Sequence, residues 1–191
     1  MAPESNASFK PLAPGAILAL TSILFGFSLG GLFGAAEDTL KARLRASADA
    51  VFETVYERDA ARRDKVVSKS WTYLKRAHLH GGAIGAAALA SIVLLGSAGA
   101  LARLSSLAFG GGALIYALFW LFAGFTAPGL GSTGLAKEAL SFLAIPGSAL
   151  CLLGVLGTLA GDDTVFVACA AGADLSALGR FVGLGQLRER A

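Results

Sequence analysis

Charged side chains are scarce in this chain: Asp, Glu, Lys and Arg together make up 15% of its 191 residues. Soluble domains carry about 25% charged residues, so the shortage is untypical of a water-soluble enzyme. Four stretches contain no charged residue at all, namely residues 14–36, 81–102, 104–127 and 139–161. Each is long enough to cross a bilayer as a helix, because about 20 helical residues span a hydrocarbon core of about 30 Å.

Cysteine is nearly absent as well, with Cys151 in the fourth apolar stretch and Cys169 after it. The two form neither a Cys-x-x-Cys pair nor a zinc pattern with histidine, which excludes a disulfide framework and a zinc finger. We expect them to stay unbridged because the helix carries one away from the other. The lack of charge inside the four stretches disfavours a proton-coupled carrier, since such proteins place ionisable groups within the membrane.

Most of the charge lies between the first two apolar stretches, in residues 37–80, which hold ten of the sixteen Lys and Arg residues. Within this segment apolar residues recur at helical spacing, at Leu40, Leu44, Ala48, Val51 and Val55. The pattern predicts an amphipathic helix that continues the first apolar stretch or lies on the membrane surface. A second helix is expected over residues 65–80, with Trp71 at headgroup depth.

The connections between the other stretches are short. Only Arg103 separates the second stretch from the third, which predicts a tight hairpin there, and Pro128 opens a glycine-rich connection to the fourth. We expect residues 162–191 to form an interfacial tail, with a fifth crossing as the less favoured alternative. The first stretch is longer than the apolar region of a secretory signal, so it is expected to remain as a membrane helix.

These patterns predict an all-α fold in a single membrane domain of residues 1–191, an integral membrane bundle of four transmembrane helices with an amphipathic cytoplasmic helical loop. The side holding residues 37–80 and 128–138 has eleven Lys and Arg residues, and the other side has five. By the positive-inside rule the loop is cytoplasmic, and the N- and C-termini lie outside the inner (plasma) membrane. Basic and acidic residues are mixed beside the stretches, which argues against a nucleic-acid partner.

Glycines at a spacing of four mark two of the apolar stretches. Gly26, Gly30 and Gly34 form two GxxxG steps in the first stretch, and Gly81 and Gly85 form another in the second. Small residues permit close helix contact in lipid, where no hydrophobic drive between helices exists. We favour packing within the four-helix bundle for these glycines, and the alternative is a face for homo-oligomer formation.

The two histidines of the chain, His78 and His80, stand at the entrance to the second stretch. Imidazole binds haem iron and transition metals, so these residues are candidate cofactor ligands, and Glu37 is a candidate third metal ligand. Residues i and i+2 of a helix point about 200° apart, which separates the two imidazoles. A cluster with the carboxylates of Asp38 and Glu138 is one possibility. Pairing of Glu37 or Asp38 with Arg76 is the favoured one, so no cofactor is predicted.

Two motifs carry a resemblance to a known group of proteins. The first is Phe33-Gly34-Ala35-Ala36-Glu37-Asp38 with Lys41, and the second is Arg76-Ala77-His78-Leu79-His80-Gly81-Gly82 with Ile84-Gly85. In these segments the chain resembles small bacterial inner-membrane proteins for which no activity is established. The likeness covers the first two apolar stretches and the segment between them, and it implies a protein with four membrane spans.

The sequence favours a non-catalytic membrane protein that acts by association, in a homo-oligomer or in a larger membrane complex, with the lipid bilayer around it. A haem- or metal-binding protein that uses His78 or His80 is the first alternative. A small-solute channel or carrier is the second. No Walker loop and no HExxH motif is present, so the sequence offers no visible apparatus for catalysis.

Overall fold

The computed structural model of the protein describes residues 10–95 and 99–161, and this part consists of helices without a strand. A 3₁₀ turn, Lys10–Leu12, leads into the first of five α-helices. The helices are α1 (Ala13–Asp49), α2 (Ala60–Leu95), α3 (Ala100–Leu130), α4 (Thr133–Ala139) and α5 (Ser141–Gly161). Of these, α1, α2, α3 and α5 are long and apolar enough to cross a membrane, which confirms the predicted all-α bundle. The expectations for Cys169 and for residues 162–191 lie outside the described residues.

The charged segment between the first two spans consists of the ends of two long helices joined by a turn. Helix α1 continues from its apolar part to Asp49, and its backbone leaves helical geometry only at Ala36, with φ −140° and ψ 28°. After the turn of residues 50–59, Asp59 caps α2 by accepting a hydrogen bond of 2.9 Å from the Arg62 backbone N–H. We call residues 37–76 together with α4 the head of the molecule.

The predicted junction at Arg103 was wrong, because α2 ends at Leu95 and α3 begins at Ala100. Arg103 is an exposed residue in the first turns of α3, where a long side chain can reach the polar interface from within a helix. The connection expected at Pro128 also starts later. Helix α3 continues through Pro128 to Leu130, and it ends at Gly131, whose φ of 62° is left-handed.

Helix α3 lies at the centre of the bundle and packs against α1, α2 and α5. Glycines allow these close approaches: a Cβ added to Gly110 would clash with the Gly15 carbonyl oxygen of α1. On another side of α3, a Cβ added to Gly112 would lie 2.6 Å from the Cys151 nitrogen of α5. The outer surfaces of the spans are apolar and exposed, as expected for contact with lipid, for example at Ile17, Leu24, Phe27, Val93, Leu104, Phe142 and Leu153.

Candidate functional site

Helices α1 and α2 touch along a line of small residues that we call the α1–α2 seam: Ser22, Gly26, Gly81 and Gly85. A Cβ added to Gly26 would lie 2.6 Å from the Gly82 nitrogen, and one added to Gly85 would lie 3.0 Å from the Ala19 carbonyl oxygen. The Ser22 hydroxyl donates a hydrogen bond of 3.1 Å to the Gly81 carbonyl oxygen. Three of the five predicted packing glycines, Gly26, Gly81 and Gly85, therefore lie where the backbones of α1 and α2 approach each other.

The other two glycines of the predicted stripe lie differently. A Cβ added to Gly30 would meet the imidazole ring of His78, 2.7 Å from Cε1, whereas none of the described residues lies within 4 Å of a Cβ added to Gly34. The reason is helical geometry, because a spacing of four residues rotates by about 40° at each step in a helix of 3.6 residues per turn. Over two steps the stripe turns from α2 towards open surface.

His78 is held against α1. Its Nδ1 donates a hydrogen bond of 2.7 Å to the Gly26 carbonyl oxygen, and Phe33 meets the imidazole edge-on with ring centroids 6.1 Å apart. Since a carbonyl only accepts, the proton is on Nδ1, and in the neutral ring Nε2 keeps the lone pair that a metal would need. The imidazole of His78 thus links the backbone of α1 to α2.

Replacing His78 tests this link. His78→Leu is expected to lower the free energy of unfolding in detergent by about 1 kcal/mol, because the Gly26 carbonyl loses a side-chain donor. His78→Gln should restore part of that loss, since an amide N–H can donate to the same oxygen. Unfolding by sodium dodecyl sulfate, followed by circular dichroism, measures both. Equal stability of His78→Leu and the wild type would show that the bond contributes nothing.

His80 lies on the opposite face of α2, next to α3. Its ring centroid is 5.3 Å from that of Tyr116 and 6.0 Å from that of Trp120. The two histidines are therefore not brought together, as the predicted angle of about 200° requires. Within residues 10–95 and 99–161, no group of three or more His, Cys, Asp and Glu side chains is placed to hold a metal ion.

The acidic residues at the charged end are paired differently from the expectation. Glu37 forms an ion pair with Lys41, one helical turn along α1, and the Lys41 ammonium lies 5.3 Å from the ring centroid of Trp71. The favoured pairing of Glu37 or Asp38 with Arg76 is not formed. Instead, the Arg76 guanidinium lies over two aromatic rings, 4.7 Å from the centroid of Trp120 and 5.6 Å from that of Tyr73.

An open groove of about 460 Å³ runs along the outer face of α1 and α2 beside these residues, and it is lined by Gly30, Phe33, Glu37, Trp71, Lys75 and His78 among others. The groove thus holds two of the predicted metal ligands, His78 and Glu37, while His80 lies elsewhere. One imidazole and one carboxylate are fewer than the three or four protein ligands of a typical zinc site, so the groove is a weak candidate for a metal.

The segment from Gly26 to Gly30 reads Gly-Phe-Ser-Leu-Gly, which matches the spelling of the GxSxG motif of hydrolases. In those enzymes the serine stands on a sharp turn between a strand and a helix. Here Ser28 is an exposed residue in the middle of α1, and the two glycines face α2. The segment therefore shares the sequence pattern of the motif and not its structure.

A contact that no sequence pattern suggests joins the turn between α1 and α2 to the end of α3. The hydroxyl of Tyr56, a fully buried residue, donates a hydrogen bond of 2.7 Å to the Pro128 carbonyl oxygen, and Arg62 donates one of 3.3 Å to the Gly131 carbonyl oxygen. Both oxygens stand at the end of α3, where a helix has no further backbone donors to offer. We call this arrangement the head lock. Its partners are about seventy residues apart in sequence, so no local pattern signals it.

The electrostatics of the head lock follow from burial. Burial raises the pKa of the Tyr56 phenol above its ordinary value, while the nearby positive charges of Arg62 and Arg63 lower it by less. The phenol is therefore neutral at physiological pH and serves as a hydrogen-bond donor. Arg63 itself lies over the Phe52 ring and forms an ion pair with Asp49, which connects the end of α1 to the start of α2, and a second ion pair with its neighbour Asp64.

Comparison with known proteins adds no relative: no family model, no curated protein and no solved structure matches this chain.

Proposed function

We propose that the protein is a non-catalytic membrane protein that acts by association, and that its head is the surface presented to a partner. The observation that carries this proposal is the head lock. Arg62 and the buried Tyr56 hold the turn between α1 and α2, and the start of α2, against the end of α3. These hydrogen bonds hold the head in one conformation. A preorganised surface of this kind binds a partner at a lower entropic cost than a flexible one.

The size and charge of the head support this role. Residues 37–49 of α1 extend beyond the apolar part by about 20 Å, at 1.5 Å per helical residue. Ion pairs join the ends of the two helices, including Arg45 with Asp64 and Arg63 with Asp49. Surface pairs of this kind contribute little stability, typically less than about 1 kcal/mol each, but they give the head a patterned surface that suits selective recognition.

The glycine stripe is a weaker candidate for association. Gly26, Gly81 and Gly85 are occupied by the contact between α1 and α2 inside one chain. A second copy that used the same stripe would have to displace that contact. Contact through the head leaves the bundle intact, and it serves a homo-oligomer and a larger membrane complex equally well.

The proposed location is the inner (plasma) membrane of a bacterium, with the head in the cytoplasm and both termini outside. The support is the distribution of Lys and Arg, eleven on the side of the head against five on the other. The resemblance at residues 33–41 and 76–85 to small bacterial inner-membrane proteins points to the same membrane.

Site-specific photo-cross-linking in intact membranes tests the proposal. A photoreactive amino acid is placed at two exposed head positions, Thr54 and Lys69, and at two exposed positions on the apolar surface, Phe27 and Leu153. We expect a discrete protein adduct from at least one head position and none from the two apolar positions, which should react with lipid. An adduct of twice the mass identifies self-association, and an adduct of another defined mass identifies a complex.

The proposal is overturned if both head positions yield no adduct while the apolar positions do. Adducts from all four positions at similar yield would also contradict it, because they would reflect crowding in the membrane. Expression and insertion of each variant are checked by its level in the membrane fraction.

A further inference from the structure

Side chains that donate hydrogen bonds gather between α2 and α3 at the charged end, in a group we call the donor cluster: Arg76, His80, Tyr116 and Trp120. The Arg76 guanidinium lies 4.7 Å from the Trp120 ring centroid, and the His80 ring stands beside both Tyr116 and Trp120. Trp120 is 9% exposed, His80 and Tyr116 are half-buried, and Arg76 is exposed. The cluster therefore has a buried base and an accessible rim.

One atom of the cluster is anomalous. Trp120 Nε1 is buried without a hydrogen-bond partner, and it is the one such side-chain nitrogen or oxygen in the described part of the chain. An indole nitrogen can only donate, and a buried donor without an acceptor destabilises a fold, so such atoms are rare and call for an explanation.

Arg76 lacks an acidic partner in the same way. Among residues 10–95 and 99–161 its guanidinium forms no ion pair, and it rests instead on the faces of Trp120 and Tyr73. A guanidinium that stacks on a ring keeps its N–H groups free at the edge, in the fork that matches a phosphate. The cluster thus combines two obligate donors, Arg76 and Trp120, with two side chains that donate or accept, and it contains no anionic acceptor.

We propose that the donor cluster binds the phosphate of an anionic phospholipid, with Arg76 and Trp120 Nε1 as its principal donors. The phosphate oxygens supply the acceptors that these donors lack, and the Arg76 side chain over the Trp120 ring moves aside to admit them to the buried Nε1. The position fits a lipid, because the charge-free stretch of α2 begins at Gly81, directly after His80, so Arg76 stands at the level of the headgroups. Basic sites between membrane helices are a known mode of recognising anionic headgroups.

Two substitutions test the hydrogen-bond donors of the cluster separately from its packing. Arg76→Gln removes the charge and the fork, and Trp120→Phe removes the Nε1 donor while keeping an aromatic ring in the core. Lys75→Gln is the matched control, since it removes an equal charge from the adjacent residue, which lines the groove against α1. The purified full-length protein in detergent is titrated with phosphatidylglycerol or with phosphatidylcholine, and native mass spectrometry counts the lipids retained.

We expect the wild type to retain phosphatidylglycerol in preference to phosphatidylcholine, and Arg76→Gln to weaken that binding about tenfold, as loss of a charge-assisted bond predicts. Trp120→Phe should weaken it about fivefold on the same argument. Lys75→Gln should leave it within twofold of the wild type. Phosphatidylglycerol should also raise the thermal midpoint of the wild type and not that of Arg76→Gln, because a ligand stabilises only the form it binds.

Stability without lipid shows whether Trp120→Phe still folds. In lipid-free detergent this variant should still unfold cooperatively, because removal of a buried donor without a partner offsets part of the cost of the cavity that the smaller ring leaves. The assignment is overturned if Arg76→Gln and Trp120→Phe bind phosphatidylglycerol as the wild type does, which would mean that water satisfies Nε1. It is also overturned if Lys75→Gln weakens binding equally, if phosphatidylcholine binds as tightly, or if inorganic phosphate alone protects the protein in an Arg76-dependent way.

Discussion

Tyr56→Ala is expected to release the head from the end of α3, at a loss of about 3 to 5 kcal/mol in local stability, the range for deleting a large buried aromatic side chain. Tyr56 is fully buried and packs with Ala48, Val66, Ala127 and Ala136, so its removal leaves a cavity among four elements. Backbone amides of the turn at residues 50–59 should then exchange with deuterium more than about a hundredfold faster, since exchange reports local opening. Mass spectrometry of the labelled peptides measures this.

Tyr56→Phe removes the hydroxyl and keeps the ring. It should lower the free energy of unfolding by about 1 kcal/mol, because the hydrogen bond to the Pro128 carbonyl is lost. Tyr73→Phe is the matched control, because Tyr73 is as deeply buried and, unlike Tyr56, does not donate to the end of α3. Equal losses for the two variants would contradict a specific role for the Tyr56 hydroxyl.

The difference in stability between the wild type and Tyr56→Phe is expected to depend on pH. Burial raises the pKa of folded Tyr56 above the unfolded value of about 10, so the neutral phenol is favoured in the folded state. The stability that the hydroxyl contributes is fully present below the unfolded pKa and is lost as pH rises through the folded pKa. The difference between wild type and Tyr56→Phe should therefore be constant from pH 6 to about pH 9 and shrink above about pH 10. A difference that grows with pH would mean that the folded pKa is lowered.

Gly26→Leu is the second large change, expected to lower the free energy of unfolding by about 3 kcal/mol or more, at the upper end for overpacking. The first atom of the new side chain would already lie 2.6 Å from the Gly82 nitrogen and 3.0 Å from the His78 carbonyl oxygen. Both obstacles are backbone, so α1 must move away from α2 as a whole. Unfolding by sodium dodecyl sulfate in mixed micelles measures the loss.

Gly34→Leu is the control from the same GxxxG stripe. No described atom lies within 4 Å of a Cβ at Gly34, so the variant should match the wild type or gain up to about 1 kcal/mol from the higher helix propensity of leucine. If the two leucine variants are equally stable, the close approach of α1 and α2 at Gly26 is refuted.

The helices could be predicted from the sequence because each long charge-free stretch has one stable solution in a bilayer, a helix that satisfies its own backbone. The boundaries were harder to predict. Arg103 interrupts the apolar pattern and so predicts a loop, yet a single arginine near a helix end is tolerated inside the helix. Pro128 likewise predicts the start of a connection, yet α3 accommodates it in its last turn.

Some features of the candidate site could likewise be predicted from the sequence, and others could not. The separation of His78 from His80 was predicted because it depends only on the rotation per residue along one helix. The partners of those histidines and of Tyr56, and the Trp120 partner of Arg76, could not be predicted, because they lie on other helices, 52 to 72 residues away for His78 and Tyr56. Which faces meet depends on how α1 and α3 rotate against α2, and glycine-rich faces leave that rotation open in the sequence.

The length of α5 has a consequence for the membrane that surrounds the protein. With 21 residues it spans about 32 Å, close to the thickness of the hydrocarbon core, whereas α1, α2 and α3 have 31 to 37 residues and continue well past it. In a thicker bilayer the parts of α1 and α2 that would enter the hydrocarbon core carry charged residues such as Glu37 and Arg76, and burying these in lipid is costly. We therefore expect a thicker bilayer to thin around the bundle, and the protein to prefer a membrane whose hydrocarbon core is close to the described length of α5.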